Sequence, residues 1–401
     1  MSSVLPFDII SEIIDIVGAN QDTNLLKELA LVSHSFLQIC SKHLFATVEL
    51  YDISVGTRHT TSSKKGFIKL LKSRPDVVEH IRKLTYNVAY DSDNDHLLSP
   101  ILPNLLRTIP RLNCLTITGS YMIWGSTLDS SLTSAFLHLM HLPTIHHIDL
   151  SYIHYFPLCN LTPAVNLQWL NLSYMHDEGS FENVQLEMMP KIREFHTSMS
   201  SRLLKKLLHA KMQDGRPSFN LMDIRRLSIN FTDDEEFEDE QNIRYLLQNV
   251  KLLETLHISV GFGQNLVGIL SLSARTLKVL DLSVFLIAHL PLAGLCEELE
   301  AMAGHNMLEA LSFELCVIHH NREDAVGSAI QRVEKVLVKP GWSSLRQVSI
   351  KVSINCCRLP GAKVSETLQS LPDKHLSQLS KLESVALSYS AHSRCSLNHG
   401  E

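Results

Sequence analysis

The most regular feature of the chain is a short alternation of apolar and polar positions that recurs along most of its length. The pattern is apolar-x-x-apolar-x-apolar-x-x, as in LKVLDLSV from Leu277. Alternation with a period of two predicts a strand with one buried face and one outward face. Eleven copies occur, and they begin at Ile81, Leu112, Ile145, Leu167, Ile192, Ile224, Leu253, Leu277, Leu308, Leu345 and Leu382.

The spacing of these copies leaves room for more than a strand. Neighbouring copies begin between 22 residues apart (Ile145 to Leu167) and 37 residues apart (Leu308 to Leu345). Helical patterns separate many of them, and prolines mark the returns. The series resembles irregular leucine-rich repeats, which implies an α/β solenoid. The alternative is an ordinary α/β domain, but the strands of such a domain would be continuously apolar.

The outward positions of the strands are the candidate ligand surface. In LKVLDLSV, Leu280 and Leu282 should point inward, so the fifth and seventh residues, Asp281 and Ser283, should point outward. Stacked copies would form two outward rows on a concave sheet, from Thr85 to Ala386 and from Asn87 to Ser388. Most members are small and polar, which favours a protein or peptide ligand; the alternative is a solvent-exposed ladder without one. The candidate substrate-binding residues are Asp149, Trp169, Asn171, His196, His257 and Asp281.

Three short amphipathic segments precede the repeats. In the first, Ile9, Ile13 and Ile16 form one stripe at helical spacing, and Ile10, Ile14 and Val17 form a second. Together they make an apolar face too wide for an isolated helix to leave in water. Pro6 suits a first helical turn and Gly18 a C-terminal stop. Asp22 or Thr23 and then Ser33 are candidate caps of two further helices.

These first fifty residues resemble an F-box of the divergent kind common in fungal F-box proteins. The matching features are LPFDIISEII from Leu5 and LALVS from Leu29, followed by Phe36 where the family often has tryptophan. The resemblance implies docking on a Skp-type adaptor, which tethers the chain to a cullin and RING scaffold. The residues carried over to that contact are Leu5, Pro6, Ile9, Ile10, Ile13, Leu29, Val32, Ser33 and Phe36. The alternative is that the helices only cap the repeats.

The predicted architecture is α/β, with a three-helix F-box over residues 1–50, an irregular leucine-rich-repeat solenoid over residues 51–390 and a flexible tail over residues 391–401. The resemblance implies the substrate-recognition subunit of an SCF-type (Skp–cullin–F-box) ubiquitin ligase, which holds an unknown protein substrate and is not itself an enzyme. The alternative is a leucine-rich-repeat interaction scaffold that is not linked to ubiquitination.

Charge and composition limit the classes of partner that we expect for this chain. The formal net charge is −6, and Asp233–Glu240 carries seven acidic residues in eight. The sequence has no basic stripe, so we do not expect nucleic acid as a partner. The acidic run suits a solvated loop, with a docking site for a basic peptide as the alternative. The eight cysteines form no disulfide framework, and no apolar run is long enough for a bilayer, so we expect an intracellular protein of the cytoplasm or nucleus without membrane contact.

Catalytic and metal chemistry is not predicted. His138, His141, His146, His147 and His154 cluster in sequence, and an enzyme built on them is the rival hypothesis from another class. On repeated units these residues would fall in a helix, a turn and a strand, where exposed polar positions account for them. No Gly-rich phosphate loop or nucleophile–base–acid set can be assigned. We therefore expect no cofactor and no metal.

Overall fold

The computed structural model describes residues 6–51, 64–88, 101–125, 128–175, 189–198, 201–211, 215–230, 238–260, 267–286, 294–317, 323–356 and 368–395. The chain divides into two compact units. The first comprises Met1–Lys191 with Ala210–Phe219, and the second comprises Ile192–His209 with Asn220–Glu401. Both are mixed α/β units built on parallel strands, which confirms the predicted α/β class.

The first unit opens with three helices and continues as five parallel strands. The helices are α1 (Phe7–Ala19), α2 (Thr23–Ala30) and α3 (His34–Leu44). The strands pair in chain order and are β1 (Thr47–Leu50), β2 (Lys83–Val88), β3 (Cys114–Ile123), β4 (His147–His154) and β5 (Trp169–Ser173). Between them lie α4 (Lys64–Ser73), α5 (Ile101–Arg107) and α6 (Ser130–Met140).

The second unit contains seven parallel strands that also pair in chain order. They are β6 (Glu194–Ser198), β7 (Arg226–Asn230), β8 (Thr255–Val260), β9 (Val279–Leu286), β10 (Ala310–Val317), β11 (Gln347–Cys356) and β12 (Ala386–Cys395). The α-helices between them are α7 (Ser201–His209), α8 (Glu238–Asn249), α9 (Leu295–Met302), α10 (Glu323–Leu337) and α11 (Leu371–His375).

The length of each connection accounts for its structure. The connection from β4 to β5 lies between the two motif copies that are closest in sequence. It contains the 3₁₀ turn Leu158–Leu161 in place of an α-helix. The 3₁₀ turn Leu270–Ser273 precedes β9 in the same way. The much longer spacing between β10 and β11 accommodates the 15-residue helix α10. The irregular spacing therefore produces α-helical and 3₁₀ connections within one series of strands.

Every one of the eleven motif copies contains a strand, as predicted. In ten copies the strand begins at the third motif residue, and fifth residues pair with fifth residues across adjacent strands, as Asp281 does with Ser312. The last copy is different, because its strand begins at Ala386. Ser349 pairs with Ser388 and Lys351 with Ser390, so placing Ala386 and Ser388 in the two rows was wrong by two residues. A shift of two keeps the same face outward, which is why alternation alone did not reveal it.

Backbone hydrogen bonds repeat from one copy to the next and fix this register. At eight junctions between consecutive copies, the carbonyl of the second motif residue accepts the N–H groups of the second and third residues of the following copy. In the first unit the His146 carbonyl accepts from Gln168 and Trp169, both at 2.9 Å. In the second unit the Arg225 carbonyl accepts from Glu254 and Thr255, both at 2.9 Å. Neighbouring strands therefore start level, and equivalent side chains stand side by side.

Two buried helical glutamates tie the turns of the second unit to its helices. Glu298 of α9 is 3% exposed, and its carboxylate accepts the N–H groups of Gly268 and Ser271. Glu334 of α10 is 5% exposed, and its Oε1 accepts from Gln378 at 2.8 Å and Leu379 at 3.0 Å. A carboxylate that accepts two backbone N–H groups satisfies donors that a turn would otherwise leave unpaired.

The end of β12 and the lengths of the helices bear on the predicted tail and on membrane contact. β12 extends to Cys395, past the predicted start of the flexible tail at residue 391, and residues 396–401 lie outside the described ranges. Across the described ranges, none of the helices has the length and apolarity needed to cross a membrane.

We expect Glu334→Ala to destabilise the chain by about 2–4 kcal/mol, because it leaves the Gln378 and Leu379 N–H groups without their acceptor. Urea denaturation of the two proteins measures the difference. The matched control is Glu300→Ala, which removes a helical glutamate that is half exposed and pairs with Lys339 at 2.6 Å. An exposed pair of this kind contributes about 0–1 kcal/mol. Equal losses in both variants would contradict a role for burial.

Candidate functional site

The first helix carries the two predicted apolar stripes, and the structure separates them. Ile14 is 1% exposed and forms a small core with Leu26, Ile39 and Cys40. Ile10 and Val17, from the same stripe as Ile14, are partly buried against this core. The other stripe faces outward: Ile9, Ile13 and Ile16 are 43%, 47% and 63% exposed. One face of α1 therefore holds the helices together and the other remains open to water.

A second exposed apolar position lies at the turn between α2 and α3. Leu31 is 87% exposed and Val32 is 65% exposed. The turn is fixed by Ser33, whose hydroxyl accepts the Phe36 N–H at 3.3 Å as the cap of α3. Asp22 caps α2 in the same way, accepting from Leu25 at 3.1 Å. On the other side of the turn, the N–H groups of Leu31 and Val32 donate to the Glu28 and Leu29 carbonyls at 3.1 and 3.0 Å and close the end of α2.

The predicted adaptor-contact residues fall into three groups. Those on the surface are Pro6, Ile9, Ile13, Val32 and Ser33. Those partly buried against the small core are Ile10, Leu29 and Phe36. Leu5 lies outside the described residues. The prediction also missed four exposed apolar residues: Phe7, Ile16, Leu25 and Leu31.

The position of α1 against α3 is fixed by an ion-pair cluster. Asp15 Oδ1 lies 2.6 Å from Lys42 Nζ and 2.6 Å from His43 Nε2. The hydrogen bond from Lys42, followed by that from His43, lowers the pKa of Asp15. Gly18 leaves room for this contact between the helices, because a Cβ at that position would overlap the His43 ring. Its role as a C-terminal stop was misassigned: α1 continues to Ala19, and the left-handed residue is Gln21, at φ 58°.

The outward face of β4 and β5 brings together three of the predicted substrate-binding residues. Trp169 stacks on His147 with ring centroids 3.5 Å apart and planes 14° apart. Beside this pair, Asn171 Nδ2 donates to Asp149 Oδ1 at 2.8 Å. The side chains of Asp149, Asn171 and Trp169 are half-buried, so this part of the face is an ordered surface.

The other three candidates lie on the second unit and are less concentrated. His257 pairs in register with Asp281 on the neighbouring strand, while Ser228 stands between His196 and His257. The seventh-position row contains an ion pair that was not predicted, between Glu314 and Lys351 at 2.6 Å. This ion pair could have been predicted from the sequence, because Glu314 and Lys351 occupy the seventh position of consecutive copies and the register places them side by side.

The histidine cluster does not form a shared site. His138 and His141 end α6, and His141 Nε2 is 2.8 Å from the Asn160 carbonyl. His147 is stacked on Trp169, whereas His154 ends β4. In the described ranges, no group of three histidine, cysteine, aspartate or glutamate side chains could hold a metal ion. Of the acidic run, residues 233–237 lie outside the description, and Glu238 begins α8 instead of belonging to a loop.

We expect the Asp15 cluster to make stability depend on pH. The folded pKa lies below the usual value of 3.8, so the contribution is present above about pH 4 and is lost as pH falls through the folded pKa. Because Asp15 is 46% exposed, the effect should stay below about 1 kcal/mol. Urea denaturation from about pH 7 to pH 3 should show wild type more stable than Asp15→Asn, with the gap closing at low pH. Glu12→Gln, an exposed change on the same helix, is the control; a constant gap would contradict the account.

Comparison with known proteins adds no further assignment. No protein-family model matches the chain, and no curated protein matches it. The functional proposal therefore depends on the three N-terminal helices and on the outward face of the strands.

Proposed function

We propose that this chain is the substrate-recognition subunit of an SCF-type ubiquitin ligase. In this proposal the N-terminal helices bind a Skp-type adaptor, the repeated strands form an irregular leucine-rich-repeat solenoid that binds a protein substrate, and the chain itself is not catalytic. The observation that carries the proposal is the exposed stripe of Ile9, Ile13 and Ile16, together with Leu31 and Val32. The stretches that resemble an F-box contain Ile9, Ile13, Leu31 and Val32, and Ile16 follows the first of them.

The exposure of these side chains argues for a protein partner. Each aliphatic side chain that moves from water into an interface contributes about 1.5–3 kcal/mol when fully buried. Five such residues within three short helices are more than scattered surface apolar residues would explain. A covering partner would offset the cost of association and leave net affinity.

The alternative of a simple cap is less consistent with the contacts. A cap should direct its apolar surface toward the repeats. Here α3 packs against the 3₁₀ turn Pro75–His80, and that contact leaves the outer stripe of α1 uncovered. The helices can therefore close the end of the first unit and still present a separate apolar surface.

The substrate side of the proposal depends on the outward rows. Equivalent polar residues stand side by side on consecutive strands, as Thr116, Asp149 and Asn171 do. A surface of this kind offers many hydrogen-bonding groups with little net charge, which suits a protein or peptide. Such a surface can bind a substrate, and no nucleophile is assigned to it. Both properties suit a receptor that delivers its substrate to other subunits.

We expect Ile13→Asp combined with Val32→Asp to weaken binding of a Skp-type adaptor at least about 100-fold, since two apolar contacts are replaced by buried charges. Ile10 is unsuitable for this test because it packs against the small core. The matched control is Leu252→Asp with Met307→Asp, which changes residues 44% and 50% exposed in the second unit.

Co-purification and titration of the purified adaptor against the full-length chain provide the measurement. Circular dichroism confirms that both double variants remain folded. If the adaptor binds the Ile13/Val32 variant as tightly as wild type, the F-box assignment is wrong, and the scaffold without ubiquitin becomes the better account.

A further inference from the structure

The outward face of β4 and β5 is unlike the rest of the described sheet surface, because aromatic rings bracket its polar residues. Trp169 and His147 form the stacked pair at the third motif position. Five residues further along the chain, Tyr152 of β4 and Tyr174, the residue after β5, stack with centroids 4.3 Å apart and planes 7° apart. The two ring pairs therefore precede and follow the polar residues of these strands in chain order.

The groups between the ring pairs form one hydrogen-bonded set. Asp149 Oδ1 accepts from Asn171 Nδ2 at 2.8 Å and from the Ser151 hydroxyl at 3.1 Å. Asn171 Oδ1 in turn accepts from the Ser173 hydroxyl at 2.8 Å. Each of these contacts fixes a side-chain rotamer, so the carboxylate is held in place between the aromatic pairs. A pre-organised site loses less entropy when a ligand binds.

The backbone at the carboxyl end of these strands is irregular. Tyr152 and Tyr174 have φ of 58° and 54°, a left-handed conformation that costs a bulky residue about 1–2 kcal/mol. Next to them, β3 contains a register shift between Thr118 and Met122. Gly119 is required at this shift, since a Cβ would lie 2.6 Å from the Met122 Cβ. Bulges and strained residues concentrate at binding sites.

The chemistry of the face favours a cation. A fixed carboxylate beside Trp, His and Tyr rings offers both an ionic hydrogen bond and aromatic surfaces for a positive group. Glu49 of β1 pairs in register with Thr85 and so adds a second carboxylate to the same row, three strands from Asp149, whereas Lys83 contributes one positive charge at a third position. A guanidinium is planar, stacks on rings and hydrogen-bonds to a carboxylate in its own plane. These properties distinguish arginine from lysine.

We propose that the outward face of β4 and β5 binds an arginine side chain of an extended segment of the protein ligand. Asp149 accepts the guanidinium hydrogen bonds, and the Trp169 and Tyr174 pairs flank it. This inference rests on the proposed function, because it assigns the recognition site of the substrate that the repeats would hold.

The test is binding of the labelled peptide acetyl-Gly-Ser-Arg-Ser-Gly-amide to the full-length chain, compared with a twin in which citrulline replaces arginine. Fluorescence anisotropy gives the affinities. We expect the arginine peptide to bind about tenfold more tightly, since citrulline keeps the shape but loses the charge. Asp149→Asn should weaken the arginine peptide by about tenfold. The matched control Asp373→Asn, the same change at an exposed carboxylate of α11 outside the outward rows, should change it by less than about twofold.

A second variant guards against loss of fold. Tyr174→Asn removes a ring while placing at φ 54° a residue that tolerates the left-handed region, so the chain should stay folded and bind the arginine peptide more weakly. Equal affinity for the two peptides, no binding of either, or equal effects of Asp149→Asn and Asp373→Asn would overturn the proposal. Adaptor binding is measured in the same preparations; its persistence in Asp149→Asn separates failure of this site from failure of the F-box assignment.

Discussion

The structure depends on the burial of the apolar motif positions together with one repeated backbone contact. In LKVLDLSV, Leu277 and Leu280 are fully buried and Leu282 is 1% exposed, while the carbonyl of Lys278 accepts the N–H groups of Glu309 and Ala310 in the next copy. Burial alone would permit a slide by two residues, and the backbone contact removes that freedom at the eight junctions where it forms. Equivalent outward residues are level for this reason. The side-chain contacts on the face, such as Asn171 to Asp149, follow from it.

Much of this architecture could be predicted from the sequence because it depends on a period of two. The alternation located all eleven motif strands and correctly separated Leu280 and Leu282 from Asp281. The register of β12 could not be predicted, since a two-residue shift preserves the alternation and only the three-dimensional pairing of Ser349 with Ser388 distinguishes it. The structure of the connections was implicit in the spacing: the shortest one has room only for the 3₁₀ turn Leu158–Leu161.

The candidate sites were predicted less completely, for identifiable reasons. The two stripes of α1 were visible in the sequence, but which one is buried depends on where α2 and α3 lie. Ile10, which was predicted to contact the adaptor, is partly buried against the small core, and Leu31 was not among the predicted residues because it belongs to a turn instead of a helical stripe. The left-handed backbone of Tyr152 and Tyr174 could not be predicted either. Tyrosine disfavours that conformation, and no glycine stands at these positions to signal it. Trp169 was among the predicted substrate-binding residues, but its stacking on His147 could not be predicted without the register of β4 and β5.

The two proposed surfaces would perform separate tasks. The N-terminal surface is apolar and suits a stable protein contact, whereas the β4–β5 face is polar and aromatic and suits selection among ligands. The most direct test of their combination is affinity purification of the full-length chain from cells, followed by mass spectrometry. The account predicts recovery of a Skp-type adaptor with a cullin, and their loss from the Ile13→Asp, Val32→Asp variant. Recovery of protein partners by wild type without adaptor or cullin would contradict it.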